Sequence, residues 1–449
     1  MARLRVTLLT HHFPPRYHAG AEQIALRHAR LLHQRGHHVE VVTVESVTQG
    51  TPQPACATDH AFGFATHRLS CDLMHVDDPF GCSYRNPYLD AWAHDFLART
   101  RPDVVHVNSG YLLSGSVLEA ALDLRLPTVL MLNDYWFLCP RTTLLRHSGR
   151  VCDAPVDELT CVWCERSALR RYRVPDRLSA GRLGEAVVQL QRLRVLPLPR
   201  ASAALLGQMR DRRAYLRGLV ERVDAVLVPS RFLMHKLAQY GLSPRRVLHL
   251  PTGLEPPAPG LEDETPRADA TLRLGYLGQI APHKGVHVLL DAFAAMRRAG
   301  CDVTLAIHGK LNDADAYHRR IRRRAARTPG VTLAGPYDNA AVGGVLRGLD
   351  AVVVPSVWYE NYPVVILEAL AHGVPVVASD LGGMAELVEH ERNGLRFAMG
   401  DAGALARQLQ RLADDRALLR QLRRHARRVN DAEAELDALE ACYRAVVPA

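Results

Sequence analysis

The sequence predicts an α/β protein built from two doubly wound parallel sheets. Three observations carry this. Apolar runs of strand length alternate with helical stretches along the chain, they fall into two series, and a proline-rich segment without apolar periodicity separates the series. At 449 residues the chain is too long for one ordinary core. With 48% apolar and 23% charged residues it has enough apolar surface for large cores and lacks the composition of a disordered chain.

The first series comprises residues 4–10, 38–44, 103–108, 127–132, 224–230 and 247–251. Each is a nearly continuous Val/Leu run rather than a strict alternation, which is what a strand covered by helices on both faces requires. After the first run, Ile24, Leu26, Ala29, Leu31 and Leu32 recur at helical spacing, so a helix opens near Gly20. The second series comprises residues 272–278, 303–309, 331–335, 351–356, 374–379 and 394–397. Residues 252–270, with Pro256, Pro257, Pro259 and Pro266, read as interdomain linker, its centre at 256–264. The domains are then 1–255 and 265–430, and residues 431–449 form a final helix expected to pack back on the first domain. The halves also echo each other, since Asp224 to Ser230 and Asp350 to Ser356 are both an Asp, an apolar strand and a Pro-Ser end.

No apolar run approaches the roughly 18 residues that a spanning helix needs. The apolar stretch at 4–10 contains Arg5 and is too short for a secretory signal, so a cytoplasmic location is expected. Formal charge is +9, and the only lysines are Lys236, Lys284 and Lys310. Between Arg166 and Arg222 fourteen arginines face four acids, Asp176, Glu185, Asp211 and Glu221. Such a stretch is either a solvated helical face or a patch for an anionic membrane surface or a phosphorylated acceptor. Nucleic acid is disfavoured as a partner, because few aromatic residues are interleaved for base stacking. Four of the nine cysteines, Cys139, Cys152, Cys161 and Cys164, lie close together, the last two as C-x-x-C. Four thiolates suit structural zinc or, as a second choice, an iron–sulfur centre in a reducing compartment; the alternative is a set of ordinary buried thiols.

In open parallel sheets ligands bind beyond the C-terminal ends of strands, where loops meet helix N-termini. Gly20 stands at the entrance of the first helix, where a small residue lets an anion approach free N–H groups. In the second series Gly278, Gln279 and Lys284 separate a strand from a helix, so the Lys284 ammonium and the helix N-terminus can address one anion. After residues 351–356 the chain carries Glu360, Asn361 and Tyr362, then Pro363 at a helix start, then Glu368 within an otherwise apolar helix. A carboxylate on so apolar a helix is costly to bury unless something hydrogen-bonds it, as ribose hydroxyls would. Glu360 in the loop is suited to accept from sugar hydroxyls.

Glu360 and Glu368, seven residues apart between a Pro-Ser strand end and an apolar helix, resemble the E-x7-E signature of the retaining glycosyltransferases of family 4, whose fold is GT-B. Residues 371–379, Gly382, Gly383, Glu386, Asn393 and Gly394 are similar to that family's segment, as are residues 278–285 and, near the N-terminus, Phe13, Pro14, Pro15, Gly20 and Glu22. The resemblance implies two Rossmann-like domains facing across a cleft, acceptor-binding first and nucleotide-sugar-binding second. It implies transfer of a sugar from a nucleotide-diphosphate donor, with retained anomeric configuration, to a saccharide or lipid-linked acceptor of cell-envelope polysaccharide or glycoconjugate synthesis. By the same likeness Glu368 holds the ribose, Glu360 the sugar hydroxyls and Lys284 the diphosphate, with no cofactor required for catalysis. Many relatives place an arginine where this chain has Gln279. Asn108 and Asn133, beside Asp134, stand on the acceptor side where relatives often carry histidine. Asparagine takes no proton, so the leaving phosphate must accept it. These departures keep two alternatives in view, a sugar-nucleotide epimerase of the same fold and a non-catalytic sugar-nucleotide-binding subunit.

Overall fold

The structure is a computed structural model that describes residues 3–153, 156–255, 271–426 and 429–448. The expected linker at 256–264 lies outside the described residues. Contacts divide the chain into two compact units, Met1–Pro251 with Leu436–Ala449, and Thr252–Glu435.

The first unit holds β1 (Arg5–Thr10), α1 (Gly20–Gln34), β2 (His38–Ser46), β3 (Ala55–Asp59), β4 (Ala65–Ser70), α2 (Pro79–Tyr84), α3 (Pro87–Thr100), β5 (Val104–Val107), α4 (Ser116–Asp123) and β6 (Thr128–Met131). Four helices follow, α5 (Glu158–Arg166), α6 (Arg170–Leu178), α7 (Arg182–Arg192) and α8 (Arg200–Arg222), and then β7 (Ala225–Val228), α9 (Arg231–Gln239) and β8 (Val247–His249). The sheet order is β3-β4-β2-β1-β5-β6-β7-β8, parallel except for β3, which pairs antiparallel with β4 at the edge. The six predicted runs of the first series are strands, while β3 and β4 carry no apolar run and escape the sequence pattern. β3 at the edge is largely exposed and β4 beside it only partly buried, so neither position demanded such a run.

The second unit holds β9 (Leu272–Leu277), α10 (Val286–Arg298), β10 (Val303–His308), α11 (Ala316–Ala326), β11 (Val331–Gly335), α12 (Val342–Arg347), β12 (Ala351–Val354), α13 (Val364–Ala371), β13 (Val376–Ser379), α14 (Gly382–Leu387), β14 (Gly394–Phe397), α15 (Ala402–Asp414) and α16 (Arg416–Ala426). Its order, β11-β10-β9-β12-β13-β14, is parallel throughout. Successive residues of β12 explain the continuous apolar runs. Val353 packs into one core with Leu289 and Phe293 of α10, while Val352 and Val354 pack into the other with Ile366 and Leu370 of α13. Burying one such side chain is worth about 1.5–3 kcal/mol, so a polar residue anywhere in the run is excluded from both faces.

The final helix is α17 (Ala432–Val446), and from Leu436 onward it is counted with the first unit. There buried Tyr443 shares a 2.6 Å hydrogen bond with His106 Nδ1 at the centre of β5, and Glu440 pairs with His37 at 3.2 Å. No described helix is long and apolar enough to cross a membrane.

Candidate functional site

In the second unit β9 lies between β10 and β12, so strand order reverses there and the loops after β9 and β12 emerge side by side. This is where an open α/β sheet leaves a crevice for a ligand. The β9 loop runs through Gly278, at φ 141°, and exposed Gln279 into a 3-10 turn, Pro282–Lys284. Gly285 follows at φ 74°, and a Cβ there would lie 1.8 Å from the Pro355 carbonyl oxygen. Only glycine permits both that backbone conformation and that approach. The two loops are joined further by the Val357 N–H donating to the His283 carbonyl at 2.8 Å.

This contact brings Lys284 to Glu360. Lys284 Nζ donates to Glu360 Oε1 at 2.8 Å, and the same oxygen accepts from Ser356 Oγ at 2.7 Å and Trp358 Nε1 at 2.8 Å. Burial alone would raise the Glu360 carboxyl; the Lys284 ammonium and the three hydrogen bonds overcome it and hold the group below the usual carboxylate range. The ammonium also lies 5.2 Å from the centre of the Trp358 ring. Burial and the neighbouring Lys284 charge push His283 down to about 4, so that ring is neutral at physiological pH.

Asn361 is buried, and its carbonyl lies where a Cβ on Gly383 would come within 1.6 Å. The Gly383 N–H donates to the Glu360 carbonyl at 2.8 Å, which fixes the loop against the start of α14. Tyr362 Oη accepts from Asn430 Nδ2 at 3.3 Å. Glu368 is half-buried on α13 and close enough to Tyr337 that burial and its charge together push that phenol up to about 12. Tyr337 in turn meets the ring of His308, at the end of β10, edge-on. Glu360, Asn361, Lys284, Gln279 and Glu368 therefore all belong to elements gathered at the C-terminal edge of this sheet.

The sequence reading missed Ser356, Trp358, His283 and Tyr337. The available signals were an indole two residues before Glu360 and a serine closing the strand; nothing in the spacing showed that both donate to one carboxylate oxygen.

In the first unit Gly20 opens α1 and is exposed. Glu22, in the same first turn, is buried beside His11 at 3.5 Å; burial would raise its carboxyl, and the His11 hydrogen bond and charge bring it below the usual range. Asn108 follows β5 and Asn133 follows the adjacent β6, and Asn133 Nδ2 donates to the Asn108 carbonyl at 3.3 Å. Asp134 accepts from Ser109 Oγ at 2.9 Å and from the Trp136 N–H at 2.8 Å. Asn108 is 1% exposed, and neither its Nδ2 nor its Oδ1 has a partner among the described residues.

Two further expectations bear on this unit. Among the described residues no group of three or more His, Cys, Asp and Glu side chains is placed to hold a metal ion. Cys139, Cys152, Cys161 and Cys164 lie near enough to raise one another's pKa, together with burial, yet they form no four-thiolate cage. Guanidinium groups stand at the sulfurs instead: Arg141 Nη1 is 3.5 Å from Cys164 Sγ, and Arg146 hydrogen-bonds Cys152. The basic stretch between Arg166 and Arg222 also divides. On α8, Arg212 is buried, donates to the Trp136 carbonyl and stacks on the Trp136 ring, while Arg213, Arg217 and Arg222 pair with Glu158, Glu221 and Asp123. The arginines of α6, α7 and the turn after α7 face outward together with Arg200 and Arg210 of α8.

Residues 271–415 match the model of Glycosyl transferases group 1, and residues 18–178 match that of Glycosyltransferase Family 4. Sucrose-phosphate synthase from Thermosynechococcus elongatus superposes with a TM-score of 0.66 at 20% identity, covering 99% of each chain. Anabaena HepE, solved in complex with UDP and glucose, gives 0.64 at 17%, covering 98% of this chain and 99% of that one. With the two parallel-sheet domains, these likenesses define the fold as that of the GT-B glycosyltransferases. Within that class the chain belongs to the family 4 type. Glycogen synthase of Mycobacterium tuberculosis is 33% identical over 156 residues, 34% of this chain and 36% of that protein. D-inositol 3-phosphate glycosyltransferase of Jonesia denitrificans is 30% identical over 243 residues, 49% of this chain and 57% of that protein. The matched parts thus span under two thirds of either relative.

Proposed function

We propose that the protein transfers a sugar, with retention of anomeric configuration, from a nucleotide-diphosphate donor to a saccharide or lipid-linked acceptor of the cell envelope. The observation that carries this reading is the Lys284–Glu360 pair at the strand-order reversal of the second sheet. Glu360, ionised and already satisfied at Oε1, orients hydroxyls of the donor sugar. Glu368 takes the ribose, and Gly278, Gln279, Asn361 and Tyr362 shape the donor pocket. The bond from the anomeric carbon to the diphosphate oxygen breaks while the acceptor hydroxyl attacks from the same face, and the departing phosphate takes its proton. Negative charge then grows on the diphosphate, and Lys284, held in place by Glu360, stabilises it more in the transition state than in the ground state. Gln279 adds no charge, so the lysine bears this alone on its loop.

Anabaena HepE was solved with UDP, which makes UDP the first nucleotide to try. A thermal-shift panel of UDP, GDP and ADP identifies the donor, since a ligand at a hundredfold excess over Kd stabilises by about 2.7 kcal/mol. NMR of the product formed from that donor, with saccharide and lipid-linked acceptors in turn, should show the donor's anomeric configuration kept. An inverted anomeric signal, or epimerised donor without acceptor, contradicts the proposal. A lipid-linked acceptor requires peripheral contact with a membrane, and the basic region between Arg166 and Arg222 is our candidate for it.

A further inference from the structure

We propose that α6, α7 and the turn at 193–196 form a wedge that inserts apolar side chains into an anionic bilayer, so that this face docks by penetration as well as by charge. The inference rests on the reading of a lipid-linked acceptor for its purpose, and on the first unit's surface for its physics. Of the eleven large apolar side chains exposed among the described residues, eight fall within residues 169–196. Leu178 is 85% exposed, Val195 70% and Leu193 62%, values at which a side chain projects from the surface. Elsewhere these helices bury what they can: Gly184 and Val188 of α7 face inward, and α7 packs on α5 and α6.

Sequence order identifies the occupant. Arg170 follows Leu169, Arg173 precedes Val174, Arg177 precedes Leu178, Arg182 precedes Leu183, and Arg194 separates Leu193 from Val195. Residues 169–200 hold eight arginines against Asp176 and Glu185. A protein partner buries a core depleted in charge, and an arginine beside six of the eight exposed apolar residues defeats that. At a lipid interface the same interleaving is favourable, because guanidinium groups reach headgroup phosphates while neighbouring leucines enter the acyl boundary.

Flotation of the full-length chain, without donor, tests this on phosphatidylcholine vesicles with and without phosphatidylglycerol, beside the variant Leu178→Ser/Leu193→Ser/Val195→Ser. Wild type should float with anionic vesicles and keep part of that binding in about 1 M salt, where screening shortens to about 3 Å. The variant should bind at least about tenfold more weakly and lose what remains in salt, with unchanged circular dichroism and an unchanged shift on adding the nucleotide. No vesicle binding by wild type, equal binding by the variant, or a wild-type dimer that the variant abolishes would overturn the wedge. Because the readout needs no turnover, failure here leaves the donor chemistry standing, and failure of nucleotide binding leaves the wedge standing.

Discussion

Ser230 and Ser356 close two strands that begin alike. Asp224, before β7, accepts from the backbone N–H of Thr128 at 2.8 Å, and Asp350, before β12, accepts from that of Arg273 at 2.8 Å, so each aspartate ties its strand to the start of a neighbour. The strands are equally buried. Their ends then part: Ser230 Oγ accepts from the Leu233 N–H and caps α9, whereas Ser356 Oγ donates to Glu360. The cause is the neighbour across the sheet. β12 adjoins β9, the first strand of its sheet, so its loop meets the lysine loop; β7 lies between β6 and β8, far from the reversal of order. The repeated sequence specifies a strand and its anchor, and topology decides which copy acquires a carboxylate and a cation.

Breaking that difference most severely, Glu360→Ala removes the acceptor of Lys284, Ser356 and Trp358 together. We expect a loss of about 3 kcal/mol in urea unfolding, the low end for a broken buried pair because Lys284 is a quarter exposed. Next, Gly285→Ala should cost about 2–3 kcal/mol, through positive φ and the Pro355 contact, and should lower donor affinity by separating the two loops. The sharpest contrast pairs the serines. Ser356→Ala should cost about 2 kcal/mol and lower kcat/KM, while Ser230→Ala costs about 1 kcal/mol and leaves kcat/KM unchanged. Equal kinetic effects would erase the distinction. The smallest effect is in acid. Because Glu360 is held below its ordinary value, its ionised form contributes stability above the unfolded pKa of about 4.3 and loses it as pH falls through the lower folded value. The stability gap between wild type and Glu360→Gln should therefore narrow below about pH 4 and stay constant from pH 6 to 8.

What the sequence made legible follows from how far apart the cooperating residues are. Strands covered on both faces announce themselves, because Val352 to Val354 must satisfy two cores; β3 at the edge is largely exposed, and β4 beside it buries only Thr66 and Leu69. Glu360, Asn361 and Glu368 were readable because one loop and one helix carry them. Lys284 was readable through a loop–helix motif, but its pairing with Glu360, 76 residues away, was not. The convergence of Ser356 and Trp358 on Glu360 Oε1 depends on loop conformation, which spacing does not encode. The cysteines are the reverse case: proximity along the chain suggested a cage, whereas among the described residues no metal-holding group is found and Arg141 and Arg146 each stand at one of the sulfurs.

Single-turnover transfer by Lys284→Ala, with the donor identified by thermal shift, bears most directly on the idea that one ammonium eases the departure of the diphosphate. The rate should fall by roughly 10²–10³, about 2.7–4 kcal/mol, with saturating donor still bound. A rate equal to wild type would contradict the account.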